Sequence, residues 1–292
     1  MNFGQVPTRQ LNKIDFELPA EPPINYSVLK GKTTKKPAVY VGCAKWSRKE
    51  WIGIVYPEGT KEKDFLHEYA KRLNSVELNA THYKLYKAAD LEKWVEHVRN
   101  RNFKFAPKLY QGITHFGNLR GKEVLTDVFL QNIITLGKNL GPVFIQVADK
   151  FSPKRKEELF DYLISLPRDV QFFLEVRHPD WFVKPEADEL FNTLRKLKIG
   201  SVITDVAGRR DCCHMHLTVP KAFIRYVGNN LHKTDFARMD AWVQRMKYWL
   251  DKGIKEIYFF MHMSDETFSP KASFYLDKKL NDACGPIFPT PS

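Results

Sequence analysis

Cysteine is scarce in this 292-residue chain: Cys43, Cys212, Cys213 and Cys284 are the four present, and no two of them have the C-x-x-C spacing. That excludes a disulfide-built scaffold, gives no structural zinc site and suits a reducing compartment. No stretch approaches the roughly 18 apolar residues of a membrane span, and no apolar run follows a basic start at the N-terminus. The chain therefore reads as soluble and cytoplasmic, with no membrane partner. A G-x-G-x-x-G loop and a P-loop lysine motif are missing as well, which argues against a dinucleotide-binding or P-loop enzyme and leaves no cofactor to expect. Acidic residues are in deficit, 34 Asp and Glu against 46 Lys and Arg, for a formal charge of +12. Such an excess favours an anionic partner, with a solvated basic surface as the plain alternative.

What is present is enough apolar sequence for a large core. At 43% hydrophobic residues, a chain of this length can bury roughly 75% of its unfolded surface. Residues 1–36 carry Pro7, Pro19, Pro22 and Pro23 and finish in Lys30, Lys32, Lys35 and Lys36, the composition of an extended basic arm. Residues 37–285 read as one domain and 286–292 as a tail.

Within that domain, short β-branched or aromatic runs alternate with segments of helical period, the pattern of a parallel α/β fold. Strands are expected at Val39–Cys43, Ser75–Asn79, Phe103–Lys108, Val143–Val147, Phe172–Arg177, Val202–Asp205, Phe223–Val227 and Ile257–His262. Helices are expected at Lys61–Leu73, Asp90–Asn100, Glu123–Leu140, Pro153–Ser165, Glu186–Leu197 and Asp235–Lys252. Eight strands with crossover helices predict an α/β protein closed into a single (β/α)8 TIM-like barrel, an open doubly wound sheet being the alternative. The sixth crossover, Val206–Lys221, carries Gly208 and Pro220 without helical period and is expected to be irregular.

Strand residues two apart share a face. Glu77 and Asn79 therefore lie opposite Val76 and Leu78, and Glu175 and Arg177 opposite Leu174 and Val176. Lys108, Gln146, Asp205, Arg225 and His262 fall at the C-terminal ends of the remaining strands. Charges are more cheaply placed inside a barrel's open top than against apolar helices, so these groups are expected to converge in one pocket. The competing reading is a buried network in which the charges pair with one another. Loops add Trp46, Tyr83, His115, His178 and Arg209, aromatics and cations suited to a flat ring beside a phosphate. The run from Cys212 to His216 superficially resembles a metal-ligand tract, but adjacent cysteines cannot readily bite one tetrahedral ion.

Several motifs also resemble a known family in order along the chain. They are Gly42-Cys43-Ala44-Lys45-Trp46-Ser47 with Tyr56-Pro57, then Ser75 to Tyr83, then Phe103 to Lys108 with Ile113-Thr114-His115. Gly141 to Gln146, Glu175-Val176-Arg177-His178-Pro179 with Trp181-Phe182, Thr204-Asp205, Gly208 to Asp211, Ile224 to Asn229 and Tyr258 to His262 follow. On these the chain is identified as a member of the YecE-like family, domain-of-unknown-function family 72, over about residues 38–280. Ala44-Lys45 before Trp46 and Tyr226 in place of a commoner Phe depart from its pattern. The resemblance implies a TIM-like barrel; it implies no reaction.

Three readings of function follow. The first is an enzyme, a hydrolase, lyase or isomerase, acting on a small anionic and phosphate-bearing substrate. There Lys108, Arg177 and Arg225 hold the anion, Asn79, Gln146, Trp46, Tyr83, His178 and Arg209 complete its binding, and Glu77 or Glu175 is the base with His115 or His262 the acid. Asp205 is the third carboxylate, and a metal-dependent phosphoesterase built on Glu77, Glu175, Asp205 and His262 is a variant that three nearby cations disfavour. The second is a nucleic-acid-binding protein without chemistry, and the third a scaffold on an inactive barrel.

Overall fold

The computed structural model describes residues 3–31 and 37–285. Lys32, Lys35 and Lys36 of the arm and the tail 286–292 lie outside the described residues. Eight parallel strands form the centre: β1 Ala38–Cys43, β2 Ser75–Leu78, β3 Lys104–Pro107, β4 Val143–Gln146, β5 Phe172–Glu175, β6 Gly200–Asp205, β7 Lys221–Gly228 and β8 Glu256–Met263. Their order, β3-β2-β1-β8-β7-β6-β5-β4, runs once around the sheet. Bridges from Phe105 to Leu140 and from Lys108 to Phe144 bring β3 against β4, so the sheet is a nearly closed barrel. All eight strands lie where the hydrophobic runs predict them.

Helices α2 Phe65–Arg72, α3 Ala88–His97, α4 Glu123–Ile133, α5 Lys156–Ser165, α6 Glu186–Leu197 and α7 Lys233–Lys252 connect successive strands, and α1 Pro23–Val28 belongs to the arm. The sequence of α6 shows why such a segment is helical. Glu186, Asp188 and Glu189 sit at its N-terminus and Arg195 and Lys196 at its C-terminus, complementing the helix dipole, while Ala187, Leu190, Phe191 and Leu194 form one buried stripe. The helix expected over 123–140 stops at Ile133. Turns of 3-10 helix follow, interrupted at Gly137, whose backbone (φ 52, ψ −128) is not helical. A further helix, α8 Ser269–Cys284, was not expected: its outward Lys271, Asp277, Lys278 and Lys279 mask the stripe Ala272, Ser273, Leu276 and Leu280 that packs on β1 and β8.

Two cores result. The larger fills the space between strands and helices. The smaller, inside the barrel, is mostly aromatic: Tyr40 stacks on Tyr258 at 4.8 Å, and Phe223 meets Phe260 at 4.9 Å, Phe144 at 5.2 Å and Phe173 at 5.5 Å. The lumen is thus a packed interior, and anything polar must sit on top of it.

The sixth crossover holds only the short turn Arg210–Cys212, and the arm lies along it. Gly208 N–H donates to the Gly4 carbonyl at 2.8 Å, Phe16 lies over the Arg210 and Arg238 guanidiniums, and Glu21 accepts from Arg245 at 2.8 Å and Trp249 at 2.9 Å. Asn25, 1% exposed, donates to the Met215 carbonyl at 2.9 Å and accepts from Leu217 N–H at 2.8 Å. The arm thus lies on the barrel: it contains α1 and a 3-10 turn, Thr8–Lys13, and packs where other crossovers place a helix. Replacing Asn25 by Ala leaves two buried backbone groups without partners and should lower stability by about 2–3 kcal/mol. Chemical denaturation reads this directly, and a loss below about 0.5 kcal/mol, the size of an ordinary surface substitution, would show that the arm does not anchor the crossover.

Candidate active site

The inward positions follow from strand register. Gln146 lies beside Glu175, Thr204 beside Arg225, and Val227 beside His262. Glu77 on β2, Glu175 on β5 and Arg225 on β7 point into the lumen from three sides, above the Phe144 ring, which lies 5.3 Å from the Arg225 guanidinium. An apolar floor and an inward guanidinium require that the guanidinium carry its partners with it.

Arg225 does so. Its Nε and Nη2 donate to the two Glu77 oxygens, each at 2.8 Å, and its Nη1 donates to Glu175 Oε2 at 2.7 Å. Glu77 also accepts from Asn79 at 2.8 Å, and His262 Nε2 is 3.1 Å from it. Glu175 Oε1 accepts from Arg177 Nε at 2.9 Å and the Thr204 hydroxyl at 3.1 Å. Arg177 continues outward to Asp149 at 3.2 Å and lies 4.1 Å under the Phe3 ring of the arm. Lys108 stands apart from this chain of pairs. Its ammonium donates to Gln146 Oε1 at 2.8 Å and makes no ion pair among the described residues.

The electrostatics follow. Burial by itself raises both carboxyls, but Arg225 with His262 holds Glu77 well below its usual range, and Arg177 with Arg225 pulls Glu175 down to about 2. Burial, reinforced by Arg225, lowers Lys108 to about 8. Burial and then Lys108 lower His115 and bring His82 to about 3. A carboxylate held well below its usual range, with its oxygens already bonded, is a poor base at neutral pH. The base assigned to Glu77 or Glu175 from the sequence is therefore corrected: the two glutamates position Arg225 and Arg177.

Asp205 is also corrected. Thr204 takes the inward place on β6, so alternation turns Asp205 outward, where it pairs with Arg238 at 2.9 Å, with Arg210, and with Trp242 Nε1 at 2.7 Å. The metal set Glu77, Glu175, Asp205 and His262 consequently does not assemble, and Arg225 bridges the first two. Among the described residues no group of three or more metal-ligating side chains could hold an ion. In the Cys212–His216 run both cysteines are buried, His214 bonds the Val202 carbonyl at 3.0 Å and His216 stacks on Phe191 at 3.9 Å.

Around the mouth, His115 is half-buried with its Nδ1 2.7 Å from the Thr114 hydroxyl. Trp46 packs edge-on against Trp94 at 5.1 Å, and Tyr83 is 67% exposed. His178 accepts from Asp180 N–H and so caps the turn after β5. Arg209 is held by Asp211 and by the Arg177 carbonyl, at 2.6 Å to each. Thr204, Asp149 and Phe3 were missed. Register with Arg225 could have found Thr204; nothing local in the sequence marks Phe3.

The paired carboxylates set a pH dependence. A group depressed from 4.5 to about 2, as Glu175 is, contributes stability that is present above pH 4.5 and lost as pH falls toward 2, on the order of 3 kcal/mol. Arg225→Met takes from both buried carboxylates the guanidinium they share, leaving Glu77 to Asn79 and His262 and Glu175 to Arg177 and Thr204, and should cost about 3–5 kcal/mol at pH 7. Its unfolding free energy should also fall less between pH 5 and pH 3 than that of the unaltered protein. Equal slopes in the two proteins would mean that Arg225 does not hold these carboxylates ionised.

The comparisons agree with this architecture. A family profile described as "Protein of unknown function DUF72" matches residues 40–291. The UPF0759 protein YecE of Escherichia coli K12 is 28% identical over 252 residues, covering 80% of this chain and 89% of its own. A DUF72 family protein from Enterococcus faecalis superposes with a TM-score of 0.67 at 18% identity, covering 84% of this chain and 98% of its own. One from Thermotoga maritima does so at 0.61 and 22% identity, covering 84% and 99%.

Proposed function

The chain belongs to the DUF72 family, and from that premise we propose that it is an enzyme that binds a small, phosphate-bearing anion at the top of the barrel and moves a proton there through Lys108. The single observation that carries this reading is Lys108 itself: buried, hydrogen-bonded once to a neutral amide, and without a carboxylate partner among the described residues. Arg225 is bonded to Glu77 and Glu175, and Arg177 to Glu175 and Asp149, so a protonated Lys108 carries a charge that no directly bonded carboxylate meets. An anion compensates that charge, and two of the three ammonium donors remain to receive it. A lysine near 8 is also matched to proton transfer at neutral pH. Half-buried His115, kept neutral beside Lys108, supplies a second proton-handling group.

Nucleic-acid binding, the alternative, rests on net charge, the lysine-rich arm and the aromatics at the mouth, of which Tyr83 is exposed and Trp46 is taken up by Trp94. A thermal-shift series separates the two. Glycerol 3-phosphate or inorganic phosphate should raise Tm saturably at both low and high salt, and Lys108→Met should remove at least about 90% of the shift at fixed ligand. Stabilisation by oligonucleotides alone, lost at high salt, would instead favour the electrostatic alternative. No response to any phosphate ester would sink the enzyme reading.

A further inference from the structure

The lysine that carries the proposed function has a second capability, and the inference here rests on that reading while naming the substrate's reactive group. We propose that Lys108 forms a covalent imine with its substrate, which carries an aldehyde or ketone carbonyl beside its anionic group.

Position supports this first. Lys108 directly follows β3, with its N–H donating to the Leu78 carbonyl at 3.2 Å and its own carbonyl accepting from the Thr81 hydroxyl at 2.8 Å. The next N–H, of Leu109, donates to the Phe144 carbonyl at 2.9 Å, so the backbone is tied to both neighbouring strands. A nucleophile on such a support is held still for attack. Chemistry supports it second. A lysine kept for structure is cheapest against a carboxylate, yet both carboxylates of this layer are committed to guanidiniums. Lys108 faces a neutral amide and lies 5.9 Å over the Phe144 ring. A desolvated amine beside a guanidinium is the arrangement that favours the free base, the form with a lone pair. The lowering to about 8 by burial and then Arg225 agrees. At pH 7.5 the neutral fraction is on the order of a hundredfold larger than that of an ordinary lysine near 10.4.

The step balances without an external reactant. The amine nitrogen attacks the carbonyl carbon, a C–N bond forms, and the carbonyl oxygen leaves as water carrying the two hydrogens that the amine gives up. The resulting C=N, once protonated, withdraws electrons from the adjacent carbon, which is how an imine assists isomerisation or C–C cleavage of a carbonyl compound.

The test is reductive trapping on the full-length protein with borohydride in the presence of glyceraldehyde 3-phosphate, with peptide mapping of the adduct and exposed Lys84 as internal reference. Lys108 should be labelled at least about tenfold faster than Lys84, with half-maximal labelling near pH 8, as its larger neutral fraction requires. Excess glycerol 3-phosphate, which lacks the carbonyl, should suppress that labelling. Labelling of Lys108 no faster than Lys84 overturns the imine. If glycerol 3-phosphate still stabilises the protein in that case, the proton-transfer reading survives; if it does not, both readings fall together. Lys108→Arg and Lys108→Met, checked for folding by circular dichroism, should show only the background labelling of exposed lysines.

Discussion

The upper half of this barrel depends on one guanidinium. Arg225 reaches from β7 to carboxylates on β2 and β5, so one buried cation ties three strands of the closed sheet across the lumen. Removing an Arg and two Glu from water costs several kcal/mol per ion before any pairing is counted, and a well-packed apolar triad of equal volume would cost less. The barrel already builds apolar layers: Phe144, Phe173, Phe223 and Phe260 fill the level below. A charged layer above them therefore adds little that packing could not supply, and its presence is better explained by what it holds in place. It fixes Arg177 through Glu175, and it surrounds Lys108 with charges that are already matched.

Much of this was legible in the sequence because it follows from period. Strands announce themselves as β-branched and aromatic runs, and alternation within Ser75–Asn79 and Phe172–Arg177 places Glu77, Glu175 and Arg177 on the inner face before any coordinates exist. The same alternation, applied strictly to β6, would have turned Asp205 outward, since Thr204 is the residue level with Arg225. Two partners of Asp205, Arg238 and Trp242, sit on α7 more than 30 positions away, and separations of that kind leave no periodic trace. The arm illustrates this further: Gln5 meets Ser264 across 259 positions. Roles were less legible than places. Glu77 and Glu175 read as bases because free carboxylates are bases, and only the bonds from Arg225 and Arg177 show that these two are not free.

The arm links the fold to the site. Where β6 connects to β7 without a helix, α1 and the residues before it supply the missing cover, bonded to Met215, Leu217 and Gly208 and to α7 through Glu21. The strand of cover that begins at Asn25 ends at Phe3, whose ring lies over both Arg177 and Arg209. A flat apolar face against a guanidinium adds cation–π attraction and excludes water from one side of it. Water exclusion strengthens every electrostatic interaction of Arg177, including the one with Glu175 that begins the chain of pairs to Arg225. Packing of a terminal segment and the ionisation of a central carboxylate are therefore coupled through a single side chain.

On the proposed reading Lys108 is the reactive group of the layer because its neighbours are already bonded to one another. Arg225 and Arg177 are shared among Glu77, Glu175 and Asp149, and each of the two buried carboxylates is bonded by more than one donor. Lys108 has a neutral amide as the partner of its ammonium, so burial pulls it toward the neutral form. An incoming anion reverses the preference, because it supplies the missing negative charge and draws the proton back onto nitrogen. Binding and protonation at Lys108 are then the same equilibrium seen from two sides. On the proposed reading, such a site senses the charge of what enters it and hands over a proton, or a lone pair, as that charge changes during a reaction.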